Sequence, residues 1–560
     1  MSIVPFALAL CTLALAAPAH AQSQPRTDPR DAENDVRGDA YVIERIVAPS
    51  PFHGVHGLTF DAHDVLYAGS VVGHSIYRVD TATGKVATFV GPPEGMADDL
   101  VFMPDGTLVW TAISQGVVRA RKGTEPSRVI ANLVSANSVN VRRRDGRLFV
   151  GQVFGADGVW EVDPSGRKPP RSIVRDPGGF NGFDVGPDGR LYGPLWFRHQ
   201  VVRIDPDSGE MKVVADGFGT PAAANFDSKW NLYVVDAARG ELVRVDIKTG
   251  TKQRVAQLAT SLDNLAIDSQ DRIFVSNMAD NGIQEVDART GAVRQVVKGQ
   301  LAIPVGIACV SGEGGAPDTI FVADVFAFRR VDGRTGAVTD IERAHAAGSR
   351  IGYPVAVSTN ARHLILTNNE GPVQRYDRAS LQLLQSWHDL PGVQNAIELD
   401  DGSLVLAQTA AGKLVRLFDA ATLGPDGQRV DIAAKLGAPL GLAPMDAQNV
   451  YVGDMSGGRI LRVNVVSGSS TVVADTLDRP QGIALATDGS LLVVEAGRQQ
   501  LTRVDPRSGG KSVVARNLPI GIPNVPITAA GVAVGANGTL YVSSDAENSL
   551  WRLRPRSTQP

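Results

Sequence analysis

One motif recurs twelve times along this chain, and that recurrence leaves few folds open to it. Its clearest copy is residues 230–250, WNLYVVDAARGELVRVDIKTG, which reads as two short strands, 232–235 and 242–245, with a small polar turn between them and another after them. Strand-forming runs bounded by turn residues are a hairpin signal. A lone hairpin is at best marginally stable in water, so this one needs its neighbours. The residue that ends each "RVD" step falls at Asp80, Arg121, Asp163, Asp205, Asp246, Asp287, Asp332, Asp377, Asp419, Asn464, Asp505 and Arg554, at intervals of 41 to 49 residues. A companion turn accompanies it, as in Pro104-Asp105-Gly106, Asp145-Gly146, Pro187-Asp188-Gly189 and Asp488-Gly489. In the fourth unit the predicted strands are 183–185, 191–194, 201–204 and 212–215. Four strands in a period of about 40–50 residues predict a β-propeller blade. The aspartate of each step reads as a turn former.

Twelve blades exceed one ordinary ring of about four to eight. The sequence therefore predicts an all-β fold of two tandem six-bladed β-propellers, with twelve four-stranded blades. The first is expected over 41–289 and the second over 290–560. Residues 41–47, YVIERIV, resemble a fourth strand with no blade before them, while the last unit ends after its third strand. The expected closure gives 41–47 to the sixth blade and 293–297 to the twelfth, which leaves neither ring with an open sheet edge.

Residues 1–21 are apolar and end Ala19-His20-Ala21, the pattern of a secretory signal. A periplasmic or secreted location is the expectation. Residues 22–40 are polar and hold Pro25 and Pro29, so they read as a disordered linker. Cleavage would remove Cys11 and leave Cys309 as the sole cysteine, so no internal disulfide could form. Cys309 is placed in the first strand of the seventh blade, in an apolar layer. The net charge of −4 over 560 residues offers no basic track for nucleic acid. Arg142-Arg143-Arg144 reads as a solvated turn. No apolar run after the signal approaches the roughly 20 residues of a membrane span.

The first strand of each propeller blade lines the central channel. Aligned on their second strands, units one to six begin that strand with His56, Asp98, Asn137, Asn181, Ala222 and Asp263. Units seven to twelve begin it with Val305, Tyr353, Gln394, Leu440, Gln481 and Ala530. The first mouth thus gathers two carboxylates, two amides and an imidazole; the second holds no carboxylate or imidazole. Asp99, Asn140, Asp184, Asn225 and Asn264 adjoin the first set. Carboxylate and amide oxygens suit a hard cation, here Ca²⁺ or Mg²⁺, held by Asp98, Asn137, Asn181 and Asp263. His56, Asp98 and Asp263 are the candidate catalytic residues, with His56 as general base or a further ligand. The alternative for each is a turn residue bonding backbone N–H groups. His53, His63, His74 and His199 fall in or near loops; His53 and His199, the latter in Trp196-Phe197-Arg198-His199, could overhang the mouth, with a surface role as the alternative for each.

Repeat sequences such as LYVVDAARGELVRVDIKTG resemble the SMP-30/gluconolactonase propellers and their NHL-repeat and streptogramin-lyase relatives. Phe180-Asn181-Gly182-Phe183 leading to Pro187-Asp188-Gly189-Arg190-Leu191-Tyr192 is similar to that superfamily's metal-binding Asn-Gly strand, and Ala136-Asn137 to the asparagine strand one blade earlier. His56 stands where the family has a glutamate. Ala222 stands at its fifth-blade aspartate, a role Asp263 would have to take. The resemblance implies a metal-dependent hydrolase of a small cyclic ester, or a His-assisted lyase. A non-catalytic scaffold binding a protein or glycan is the competing reading.

Overall fold

The computed structural model describes residues 36–369, 371–418, 428–433, 435–522 and 529–556. The signal-like segment and most of the expected linker lie outside them. The linker's last residues, 36–40, are tied down, contrary to expectation: Arg37 and Arg516 exchange backbone hydrogen bonds of 3.2 and 2.8 Å.

Among the described residues the strands form twelve four-stranded antiparallel sheets. The fourth blade comprises Asp184–Val185, Leu191–Leu195, Gln200–Ile204 and Met211–Ala215, close to the predicted ranges. The hairpin at 230–250 is Leu232–Asp236 paired with Glu241–Val245. All of Leu232–Asp236 is buried, whereas Lys252–Gln257, the outermost strand of that blade, is mostly exposed. Blades stack face to face, so their inner strands have no water-facing side and read as nearly continuous apolar runs. Between blades four and five the layer holds Val201, Phe218, Phe226, Val234 and Val243. Each such side chain contributes about 1.5–3 kcal/mol relative to exposure. The repeated aspartates do form the turns: Asp205, Asp246, Asp287 and Asp332 each accept the N–H groups two and three residues on.

Two closed rings result. The sixth blade packs on the first, where Ser269 N–H bonds Asp64 Oδ1 at 3.0 Å, Arg294 Nη2 bonds Thr81 O at 2.9 Å, and Phe274 meets Phe60. The twelfth packs on the seventh, where Tyr541 Oη donates to Asp318 Oδ2 at 2.9 Å and Ser543 Oγ to Val305 O at 2.6 Å.

The closure differs from the one expected. Tyr41–Val47 pairs with Ser549–Pro555 and is the outer strand of the twelfth blade, not the sixth. Val293–Val297 pairs with Gly282–Val286 and completes the sixth blade itself. The reason is local. The Asp287–Gly291 turn returns the chain directly onto Gly282–Val286, and a hairpin partner across six intervening residues wins over one across the molecule. The open edge is then in the twelfth blade. There Arg45 pairs with Glu547 at 3.0 Å and lies over Trp551, while Glu44 bonds Arg554 at 2.7 Å. The first ring is therefore inserted into the second, between that ring's outermost strand and its other blades. The two crossing segments run together, with Gln300 N–H bonding Ser50 Oγ at 3.0 Å.

The rings also face each other at the site. Arg343, at the end of the seventh blade, donates to Asp280 Oδ1 at 2.7 Å and to Thr260 O at 2.8 Å in the sixth. Cys309 lies in the strand Pro304–Val310, half-buried against an apolar cluster with Ile320 and Tyr541.

Candidate functional site

The site residues sit where the first strands of the blades are irregular. Pairing with the second strand shifts register between Ala136 and Ser138, leaving Asn137 between, and between Leu262 and Leu265, leaving Asp263 and Asn264. Such bulges turn a side chain away from the inter-blade layer. Asn181 N–H is held by Pro194 O at 3.1 Å, and Asp98 N–H by Thr111 O at 2.9 Å. The glycine after His56 is required by the packing: a Cβ at Gly57 would stand 2.5 Å from Asp98 O, so only glycine lets blades one and two approach so closely.

All five sequence candidates, His56, Asp98, Asn137, Asn181 and Asp263, line one recessed cavity. Ala222 is buried and leaves the fifth blade without a donor there. His56 Nδ1 lies 3.2 Å from Asp263 Oδ2. Asn137 Nδ2 donates to Asp98 Oδ2 at 2.9 Å. His56, Asp98 and Asp263 each offer a ligand atom within 4.8 Å of the others. His56 Nε2 and Asn137 Oδ1 are buried without a partner. Asn181 Oδ1 accepts the Gly182 N–H at 2.9 Å.

The neighbouring polar residues bind the inner strands to one another. Asp99 accepts from Val139 N–H at 3.0 Å and Asn264 Nδ2 at 3.2 Å. Asp184 accepts from Phe226 N–H at 3.0 Å and Asn140 Nδ2 at 3.2 Å. His53 and His199 do not line the cavity; His53 Nε2 is 3.2 Å from Ala546 O, and His199 is exposed beside Gly219 O.

Burial dominates the electrostatics. It pushes the Asp98 carboxyl up to about 8, with help from Asp263 and Asp99 and against His56. Burial likewise pushes Asp99 up to about 7 despite its backbone hydrogen bonds. For His56, burial opposes the charged form, but the hydrogen bond and charge of Asp263 with the charge of Asp98 outweigh it and raise the pKa. The pocket therefore calls for one more positive charge than its own side chains supply. A proton on Asp98 meets that need, and so would a cation. With two carboxylates, an imidazole and an unpartnered amide oxygen, the donor set fits a divalent ion.

The remaining wall was not foreseen from sequence. Phe154, Trp196, Phe326, His345, Tyr353 and Asn369 complete the cavity, and the last four come from the second ring. Tyr353 stood in the aligned strand-start position of the eighth blade, but nothing local in the sequence says which mouth it faces.

Residues 57–323 match the model of the SMP-30/Gluconolactonase/LRE-like region. That region is just under half of the chain. The match spans nearly all of the first ring and reaches into the seventh blade, so it includes every one of the five site candidates except His56, which immediately precedes it. No curated protein matches the chain. Among solved structures, the GH74 xyloglucanase from Xanthomonas campestris is similar, with TM-score 0.47 and 15% identity over 92% of this chain and 100% of that one. A streptogramin B lyase aligns with TM-score 0.24 and 12% identity over 60% of this chain and 93% of that one.

Proposed function

We propose that the protein opens a small cyclic ester at the mouth of the first ring, using His56 as general base and a divalent cation. The observation that supports this reading is the His56–Asp263 pair. Asp263 accepts from Nδ1, which fixes the tautomer and leaves the lone pair on the buried, unpartnered Nε2 for a proton. Water attacks the ester carbonyl as Nε2 takes its proton. The ring C–O bond breaks, and the leaving alkoxide takes a proton back from His56.

Asp98, Asp263 and Asn137 would hold the cation. When bound, it supplies Lewis-acid polarisation of the carbonyl and a more acidic water. Ca²⁺ and Mg²⁺ fit the oxygen donors; participation of His56 would favour Zn²⁺ or Mn²⁺. Asn137 positions Asp98 through its amide. Asn181 lines the same cavity, with its Oδ1 accepting the Gly182 N–H.

The test is a panel of lactones with and without chelator, run in oxygen-labelled water. Label in the product acid supports hydrolysis. An unsaturated product without label would replace it with an elimination in which His56 removes a carbon-bound proton. Absence of turnover together with tight binding of a protein or glycan would replace it with a scaffold role. A periplasmic or secreted location belongs to the same proposal and rests on residues 1–21; cell fractionation tests it.

A further inference from the structure

Six aromatic rings form a continuous belt around the cavity, and half of them belong to the second ring of blades. Phe154 meets Trp196 with centroids 5.7 Å apart, Trp196 meets His345 at 5.2 Å, and His345 meets Tyr353 at 5.7 Å. Tyr353 meets Phe326 at 5.9 Å, and Phe326 meets His56 at 5.5 Å. Every step is edge-to-face, the arrangement in which a positive ring edge meets a negative face. All six residues line the cavity. The belt starts on the third blade, crosses to the second ring and ends on the imidazole paired with Asp263.

The second-ring part is fixed in place. His345 has a φ of 61°, a left-handed backbone that a bulky residue keeps only where its surroundings hold it, and Phe154 at the first-ring end of the belt has a φ of 74°. Two contacts between the rings hold His345. Ser261 Oγ donates to Ala344 O, and Ala347 N–H donates to Ala238 O at 2.9 Å. His345 Nε2 lies 3.4 Å from Tyr353 Oη. Burial pushes the His345 pKa down to about 4, so the imidazole offers hydrogen bonds without charge. Val71, Ile113, Met278 and Val325 make the adjoining wall apolar.

We infer that the second ring is a fixed roof over the first ring's site, and that its Tyr353 and His345 select an uncharged, flat ring compound bearing a carbonyl, such as an aromatic lactone. A flat ring presents its face to the edges of the belt. An anion would lose its hydration against carbon with no countercharge in the roof, and a polyhydroxylated lactone would leave hydroxyls unpaired there. The choice of a carbonyl compound rests on the ester-opening reading; the belt and its preference for flat, neutral ligands do not.

The experiment compares dihydrocoumarin and glucono-δ-lactone as substrates for the full chain and its Tyr353→Leu and His345→Phe variants. It also measures coumarin binding by calorimetry. The wild type should favour dihydrocoumarin. Tyr353→Leu, which removes one ring of the belt, should raise KM for dihydrocoumarin by about tenfold while kcat changes less. His345→Phe keeps a ring and removes the hydrogen bond, and should raise KM by about threefold to fivefold. Unchanged KM in both variants, or preference for the sugar lactone, overturns the inference. If the wild type opens neither lactone, coumarin decides. Binding that weakens in Tyr353→Leu upholds the belt while the hydrolase reading falls, and no binding overturns the belt as well.

Discussion

Asn137 Nδ2 donates to Asp98 Oδ2 at 2.9 Å while its own Oδ1 is buried with no partner. An amide held in that way is oriented by one atom and left open at the other. A buried acceptor without a donor costs about 1–3 kcal/mol, which a bound cation would relieve. Calorimetry on chelator-treated protein should therefore detect one divalent ion per chain. Asn137→Ala and Asp98→Asn should each weaken it by about tenfold or more, the range for groups that ligate or orient a ligand. Asn395→Ala should not, because Asn395 Nδ2 bonds Leu440 O in the second ring at 3.0 Å. If Ca²⁺, Mg²⁺, Mn²⁺ and Zn²⁺ all fail to bind the wild type, the cation has no place in the mechanism.

The pH dependence follows from Asp98. Asp98, raised to about 8, keeps its proton in the folded chain well above the pH at which it ionises when unfolded. The folded state then binds more protons than the unfolded one from about pH 4 to about pH 8, so stability falls as pH rises through that window. In chelator, the urea midpoint of the wild type should decline between pH 5 and pH 8. Asp98→Asn, which keeps the shape without the ionisation, should decline less. Saturating cation should flatten the wild-type slope. Equal slopes for wild type and Asp98→Asn would mean that Asp98 ionises normally.

His56 gives a separate signature in catalysis. The base must be neutral, so kcat/KM should climb with pH as His56 gives up its proton, and the charges of Asp263 and Asp98 move that climb upward to the extent that no cation offsets them. Asp263→Asn removes the hydrogen-bonded charge that does most to raise it. The ascending limb should then move to lower pH, with kcat down by about a hundredfold or more as the tautomer is lost. A limb that stays in place would assign it to another group.

The blade pattern and the site register were legible because both are written locally. Asp205, Asp246 and Asp287 mark turns by bonding residues two and three positions on, and that spacing is visible in one dimension. Asn137 and Asp263 announced themselves as polar residues beginning inner strands. Ring closure was not legible in that way. Tyr41–Val47 fits either open edge by its own pattern, and the choice is made by Glu547, Arg552 and Arg554 at the far end of the chain. The roof was hidden for the same reason. Nothing near His345 or Tyr353 records that Ser261 and Ala238 of the other ring hold their loop against the first mouth.

Cys309 offers a check on the packing of the seventh blade. It pairs with Ile320 in the sheet, and burial raises its thiol pKa, with Asp318 adding to the rise. Little thiolate forms at neutral pH, and the thiolate is the reactive species. Labelling of the native protein by an iodoacetamide reagent should be slow and should accelerate in urea along with unfolding. Cys309→Ser should cost about 1 kcal/mol or more and leave any activity intact. Rapid labelling without denaturant would show that the first strand of this blade opens.

Arg45 tests the inserted topology. Its side chain is 5% exposed and that of Glu547 is 1% exposed, with 3.0 Å between them. Arg45 also lies 4.9 Å over Trp551, and Trp551 Nε1 donates to Glu547 at 3.1 Å. Removing one member of a buried pair leaves the other charge uncompensated, at a cost of about 3–5 kcal/mol. Arg45→Ala should therefore lower the stability of the second ring by that order, with part of the loss recovered at acid pH, where Glu547 takes a proton. Arg254→Ala, which breaks an exposed pair with Glu241 in the fifth blade, should change it by less than about 1 kcal/mol. Hydrogen exchange locates the effect. Faster exchange in Arg45→Ala should appear in Ser549–Pro555 and the twelfth blade, and amides of Gly282–Val286 and Val293–Val297 in the sixth should stay protected. Loss of protection in the sixth blade instead would return Tyr41–Val47 to the first ring.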